Sequence, residues 1–330
     1  MALVSYAQAA QQALALELQQ HDDVVLMGED IGRGGVFGQY AGLQANYGVQ
    51  RVMDTPISEA AIVGVAVGMA LTGTRPVVEL RVMDFALCAI DEIVNQAAKN
   101  RFMFGGQGRV PVVMRMPIGV WTSSAAQHSQ SLESWFVHVP GLVVVAPATP
   151  LDNHVLLRAA LRSGDPVVYL EHKELWASQQ EVTGWPEQVS DAELGAAKVR
   201  REGSDVTLVA WSRALTQCLE AADTLNAQGV SAEVIDLRTL WPWDKGRVMR
   251  SVEKTGRLLV VHEAVQVAGL GAEIVATLAA HATTRGKALH RMGAPRVPVA
   301  YSPALEPLAR LHSQAIVKRV NEIIQSPPLV

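Results

Sequence analysis

Cysteine is scarce in this chain. Among 330 residues there are only Cys88 and Cys218, far apart and without the spacing of a metal site. Both stand in apolar, helix-forming stretches and read as buried free thiols, which fits a reducing compartment and a cytoplasmic location. Excess positive charge is also missing. The net charge is −4, and without a basic face nucleic acid is excluded as the main partner. The longest apolar runs contain glycine or are too short to cross a membrane, so no membrane partner is expected. The start, Met1-Ala2-Leu3-Val4-Ser5, has neither a basic region nor a long apolar run and does not read as a secretory signal. No strand leads into Gly-x-Gly-x-x-Gly and no P-loop lysine is present, which disfavours a nicotinamide-binding dehydrogenase.

What is there points to a large globular core. Hydrophobic residues make up 49% and charged residues 18%, and this length suggests about two domains. Short apolar segments alternate with helical patterns. Ser5-Tyr6-Ala7-Gln8 has capping-box spacing and opens a helix to Gln20. Strands are expected at Val24–Met27, Arg51–Met53, Pro76–Leu80, Val110–Met116, Leu142–Val145 and Pro166–Leu170. The glycine-rich stretch from Gly32 to Gly48 reads as a flexible surface loop. Asp84-Phe85 is followed by a helix to Phe104 that stops at Gly105-Gly106, and another helix runs from Pro150 to Arg162. After a polar stretch a second series follows, with strands at Val206–Trp211, Ala232–Ile235 and Leu258–His262 and a closing helix from Pro307 to Ile324. This alternation implies two doubly wound α/β domains with mostly parallel sheets. The expected boundaries are 1–175 and 204–330, with 176–203 as a linker.

The chain is organised around Arg51–Gly73. Pro56 bends it after a short strand, Ser58 is a good N-cap, and a long apolar helix follows. Glu59 lies in the first helical turn. It reads either as an acid placed to suit the helix dipole or as a partly buried acid at the mouth of a site, with a shifted pKa. Glu29 stands at the carboxyl end of a strand, where open α/β sheets bind ligands, and is a second candidate. Ala60, Gly64 and Gly68 repeat at four-residue spacing. Each helical glycine costs about 1 kcal/mol against alanine, so this face implies a close backbone contact, within the chain or at a subunit interface.

Taken together, several segments resemble one family. They are Gly28-Glu29-Asp30, Arg51-Val52-Met53-Asp54-Thr55-Pro56-Ile57-Ser58-Glu59, Asn95-Gln96-Ala97-Ala98-Lys99, His128-Ser129-Gln130, Pro140-Gly141-Leu142 and Glu171-His172-Lys173. Later come Ile235-Asp236-Leu237-Arg238-Thr239-Leu240, Lys254-Thr255-Gly256-Arg257 and Gly271-Ala272-Glu273. In this order they resemble the β subunit of the thiamine diphosphate-dependent component of 2-oxo acid dehydrogenase complexes, which include pyruvate, acetoin and branched-chain enzymes. The resemblance implies a transketolase-like pyrimidine-binding domain followed by a transketolase C-terminal-like domain. It further implies oxidative decarboxylation of a 2-oxo acid and reductive acylation of a lipoyl group. In the family the glutamate at the Glu59 position hydrogen-bonds the cofactor's aminopyrimidine and favours the tautomer that takes the thiazolium proton. Phe85 would pack on that ring, with Ile57 and Glu29 close by, and His128 would act on substrate or the lipoyl group. The resemblance also implies a potassium ion on backbone carbonyls of Val112, Ala160, Leu161, Ser163 and Asp165.

One part of the cofactor site is missing. The usual magnesium-diphosphate device is Gly-Asp-Gly followed by Asn-Asn. Here Gly164-Asp165 leads into Pro166 and no Asn-Asn occurs. The resemblance therefore implies a separate α subunit that holds Mg2+ and the diphosphate, an α2β2 heterotetramer, and a lipoyl acyltransferase core docked on the second domain. Trp121 and the Thr-Ser-Ser-Ala-Ala run before His128 depart from the family's glycine-rich loop, and Ala125-Ala126-Gln127-His128 is closer to acetoin-type members. Alternatives are a split transketolase-like enzyme without lipoyl chemistry and a non-catalytic α/β binding subunit.

Overall fold

The computed structural model describes residues 2–325. The chain divides into two compact units, Met1–Ile118 with Trp135–Leu194, and Gly119–Ser134 with Gly195–Val330.

In the first unit the strands are β1 (Ala2–Ser5), β2 (Val24–Gly28), β3 (Val52–Asp54), β4 (Arg75–Glu79), β5 (Val113–Ile118), β6 (Val143–Val145), β7 (Val167–His172) and β8 (Gln179–Val182). Its main sheet has the order β6-β7-β5-β4-β2-β3, with every pairing parallel. Such a sheet is apolar on both faces because helices cover it. Accordingly β2, β5 and β7 are buried along their whole length. On one side Leu14 and Leu18 of the helix Tyr6–Gln20 meet Leu156 and Leu157 of the helix Pro150–Arg162 over Val24, Val77 and Val167. The first of these helices starts on the capping box formed by Ser5 and Gln8. Thr149 caps the second, with Pro150 at its first turn.

The second unit has a sheet ordered Ala288–Ala294, Arg257–Val265, Val206–Ala210, Ala232–Asp236, Lys198–Arg201. All pairs are parallel except the last. Helices Ser212–Ala227, Lys245–Thr255, Leu270–Ala280 and Ser313–Gln325 accompany it. Both units are thus doubly wound α/β structures, as the alternation of apolar segments implies. Among the described residues no helix is long and apolar enough to cross a membrane.

Several local expectations are corrected. The polar stretch 176–203 is more than a linker: β8 pairs with β1, and Lys198–Arg201 pairs with Ala232–Asp236. The glycine-rich stretch is not a loose surface loop, because Ile31, Gln39, Tyr40 and Leu43 are buried in the first unit. The stretch up to Phe104 is not a single α-helix. Met83–Ala89 is 3₁₀, Glu92–Ala97 is π-helical and only Ala98–Met103 is α. With three residues per turn, Met83, Ala86 and Ala89 face inward and Cys88 is turned outward. Cys88 is therefore exposed, and only Cys218 is a buried thiol. Glu306–Ala309 is a 3₁₀ turn, and the last helix begins at Ser313.

Candidate functional site

The site in the first unit follows from strand order. From β2 the chain goes to β3 on one side and then returns to β4 on the other, so the winding reverses between β2 and β4. Ligands of open α/β sheets bind beyond the carboxyl ends of strands at such a switch point. The register aligns three strand ends there, with Gly28 opposite Asp54 on one side and Glu79 on the other. Gly28 suits this tight approach, since a Cβ there would lie 3.0 Å from the Glu79 carbonyl oxygen. The loop beyond β2 is tied down by the Gly32 amide, which donates to Asp54 Oδ1 at 2.8 Å, and by the Thr55 amide, which donates to the Gly28 carbonyl at 3.0 Å.

Glu29 follows β2, and Glu59 begins the helix Glu59–Leu71. Ser58 stands at the N-cap position, but its side chain makes no capping bond. The first turn thus lacks the expected hydroxyl cap and opens with a carboxylate. Glu59 is only 9% exposed, and no donor among the described residues bonds its carboxylate. Burial and the adjacent Glu59 raise the Glu29 carboxyl above the usual range, with Arg81 opposing and Asp30 adding. At the same turn Ile57 is 80% exposed, an apolar side chain with no cover. Phe85, half-buried, sits on the 3₁₀ segment after β4. An unpartnered acid, a second acid beside it and an exposed apolar residue at the same turn suit a flat aromatic ligand with a polar edge.

Below these strand ends lies a polar network that sequence reasoning missed. Arg115 of β5 is fully buried. It donates through Nε and Nη2 to both oxygens of Glu171 at 2.8 and 2.9 Å. Its Nη1 stands 3.8 Å from Glu79 Oε2. Gln39 donates to Glu79, and Asn153 donates to Glu171. The Tyr40 ring lies 4.9 Å from the guanidinium carbon. Burial raises the Glu79 carboxyl, against the pull of Arg115. The one sequence signal was a glutamate inside the apolar run Pro76-Val77-Val78-Glu79-Leu80.

His128 belongs to the second unit, in the segment Gly119–Ser134, and is exposed. Ser129 beside it is buried, and its hydroxyl has no hydrogen-bond partner among the described residues. The expected potassium carbonyls lie where β5 begins and where the helix Pro150–Arg162 ends. Four of the five already accept hydrogen bonds within the protein. Val112 accepts from the Val167 amide, Ala160 from the Ser163 amide, Asp165 from the Ser163 hydroxyl, and Leu161 from the Arg75 guanidinium. A second lone pair on each remains the capacity available to a cation.

Models of known domains match both parts of the chain. The transketolase pyrimidine-binding domain model matches residues 2–178, and the transketolase C-terminal domain model matches 195–316. The acetoin:2,6-dichlorophenolindophenol oxidoreductase subunit beta of Cupriavidus necator is 43% identical over 91% of each chain. The pyruvate dehydrogenase E1 component subunit beta of Dictyostelium discoideum is 40% identical over 98% of this chain and 91% of that one. Its counterpart in Bacillus subtilis is 40% identical over 95% and 94%. Among solved structures, a split-gene transketolase described as an inactive beta4 tetramer superposes with a TM-score of 0.80 at 22% identity, over 97% of this chain and 98% of its own. With both domains matched in order and whole-length relatives at this identity, the chain belongs to the transketolase-like family that includes the pyruvate dehydrogenase E1 component β subunits.

Proposed function

We propose that this chain is the β subunit of a 2-oxo acid dehydrogenase of the pyruvate type, which decarboxylates a 2-oxo acid oxidatively and acylates a lipoyl group with thiamine diphosphate. The observation that carries this reading is Glu59, a buried carboxylate without a protein partner at the switch point of the first sheet. Glu59 would hold the aminopyrimidine edge and manage its proton, Phe85 and Ile57 would supply apolar surface to the ring, and Glu29 would stand beside them. Bound thiamine diphosphate supplies a carbon nucleophile for the 2-oxo group. This chain's share is orientation, proton handling at Glu59 and exclusion of water.

The diphosphate and its Mg2+ fall to an α subunit in an α2β2 heterotetramer. The contact surface we assign to the α subunit is the exposed face of the helix Glu59–Leu71. Gly68 has no atom within 4 Å of its Cβ direction, and Gly64 meets only Glu92 Cγ at 3.6 Å, so the glycine stripe serves no crossing inside this chain. Val65 beside it is 52% exposed. The second unit would dock the lipoyl acyltransferase core, and the carbonyls of Val112, Ala160, Leu161, Ser163 and Asp165 would take K+. An acetoin-type substrate is the second reading, favoured by the 43% identity to the Cupriavidus protein and by Ala125-Ala126-Gln127-His128.

The test is reconstitution. Alone, the chain should bind thiamine diphosphate weakly and decarboxylate no 2-oxo acid. With its α subunit both should appear, and comparing pyruvate with acetoin decides between the two readings. Activity from the chain alone would overturn the split site. In the complex, His128→Ala should damage lipoyl acylation or substrate handling more than cofactor affinity, and equal loss of both would make His128 structural.

A further inference from the structure

The segment that carries His128 is an unusual loop. Its neck is closed by the Gly119 amide donating to the Gln130 carbonyl at 3.3 Å. Inside it Ser123 has φ +54° and Ala125 has φ +60°, a left-handed region that residues with a Cβ rarely enter. Each such residue costs on the order of 1 kcal/mol or more and persists only where surrounding structure holds it. Within the loop's own turn the Ser124 amide donates to the Trp121 carbonyl at 2.9 Å, and the Ser124 hydroxyl donates to the same oxygen. The stronger anchors come from elsewhere in the second unit.

The anchors are two carboxylates. Glu263, on the strand Arg257–Val265, accepts from the Val120 amide at 2.8 Å. Glu306, in the turn Glu306–Ala309, accepts from the Ser123 amide at 2.6 Å. Amide bonds to an ionised acceptor are shorter and about twice as strong as neutral ones. Glu306 is 7% exposed, and its other oxygen accepts from Arg310 Nη2 at 2.7 Å. That ion pair orients the carboxylate that the loop uses. One anchor sits at the entry to the loop and the other on its first strained residue.

We propose that Glu306, with Glu263, is a positioning residue for His128: the two carboxylates hold the strained backbone of the loop in the one shape that presents the imidazole. This rests on the reading of His128 as the group that handles substrate or the lipoyl acceptor. An acceptor at position 306 is then as necessary to that step as the loop sequence itself, although it lies far along the chain from His128.

The experiment uses the complex with its α subunit. Acyl transfer to a lipoyl domain, affinity for thiamine diphosphate, and hydrogen exchange over 119–130 are measured for Glu306→Ala, Glu306→Gln, Glu263→Ala, His128→Ala and the double variant His128→Ala with Glu306→Ala. Misplacing a reacting group by about 1 Å costs about 10²-fold, so Glu306→Ala should slow acyl transfer on that scale and leave cofactor affinity unchanged. Its loop amides should exchange faster. Glu306→Gln should recover most of the rate, because an amide oxygen still accepts the Ser123 N–H. The double variant should be no slower than His128→Ala alone. Normal transfer by Glu306→Ala, when His128→Ala is impaired, would overturn the proposal. Losses that add in the double variant would do the same. Normal transfer by His128→Ala would overturn the functional reading of His128 itself, while the exchange data would still report whether the carboxylates hold the loop. If Glu306→Ala does not fold, the same comparisons are made with Glu263→Ala, whose loss must show the same split.

Discussion

The Glu29 carboxyl is held above its usual range by burial and by the carboxylate of Glu59. One acid ends a strand and the other begins a helix, and neither finds a hydrogen-bond donor among the described residues. Folding alone has no use for such a pair, since like charges repel and buried charges lose hydration. A carboxyl raised by burial and by a neighbouring acid is the kind of group that marks a functional site.

Glu59→Gln in the reconstituted complex keeps the shape and a hydrogen-bonding group but loses the proton acceptor. Loss of a positioned acid–base group typically costs about 10²–10⁴-fold. Exchange of the cofactor's thiazolium proton should slow on that scale, because it precedes contact with substrate. Near-normal exchange would return Glu59 to a helix-dipole role.

Glu29→Gln should change stability in a pH-dependent way. The folded state raises this carboxyl, so the folded chain binds its proton more tightly than the unfolded chain does. The stabilisation this gives is complete below the unfolded pKa and is lost as pH rises through the folded one. The neutral variant escapes that loss. Its melting temperature should match the parent in acid and exceed it at neutral pH. A difference that is constant with pH would show that Glu59 does not press on Glu29.

Two buried histidines should make the chain labile to acid. His154, stacked on Trp185 at 4.1 Å, and His262, stacked on Trp211 at 5.4 Å, are each pushed from 6.5 down to about 4, chiefly by burial. The unfolded chain binds these protons first, so stability is complete above the unfolded value and falls as pH drops towards 4. Each group accounts for on the order of 3 kcal/mol across that window. Denaturant unfolding of His154→Gln should show a shallower fall with acid than the parent. An equal slope would mean that His154 is already solvated.

Gly68 separates fold from assembly. Its Cβ direction is open within the chain, so Gly68→Ala should stabilise the isolated subunit by about 1 kcal/mol through helix propensity. Gly68→Leu should also fold. Overpacking at a tight contact costs about 1–3 kcal/mol, so in a mixture with the α subunit sedimentation should show the leucine variant unassembled. A normal tetramer would move the interface elsewhere.

Helix starts with local chemistry were legible. Ser5 and Gln8 cap one helix, and Thr149-Pro150 opens another. Where the backbone left the ordinary helical period, reading failed. The segment after Phe85 reads as one helix to Phe104, but its period-three stretch turns Cys88 outward. The strand Ala288–Ala294 was missed, since it is an edge strand without a buried apolar run. Glu59 and Glu29 stood out as acids at element boundaries. Arg115, Glu79, Glu263 and Glu306 did not, because their partners lie 36 to 183 positions away.

By itself the sequence determined the α/β class, the acid at the start of an apolar helix, the absence of a diphosphate-binding motif and the family. These are local facts of period, capping and residue order, written in adjacent positions. Only the tertiary structure decided that Glu29 and Glu59 face each other, that Arg115 binds Glu171 beneath them, that the glycine stripe is open, and that Glu306 grips the loop of His128. Those depend on sheet order and on the path of loops. Carboxylates act through space, and one sequence does not state which distant groups the fold brings within a hydrogen bond of one another.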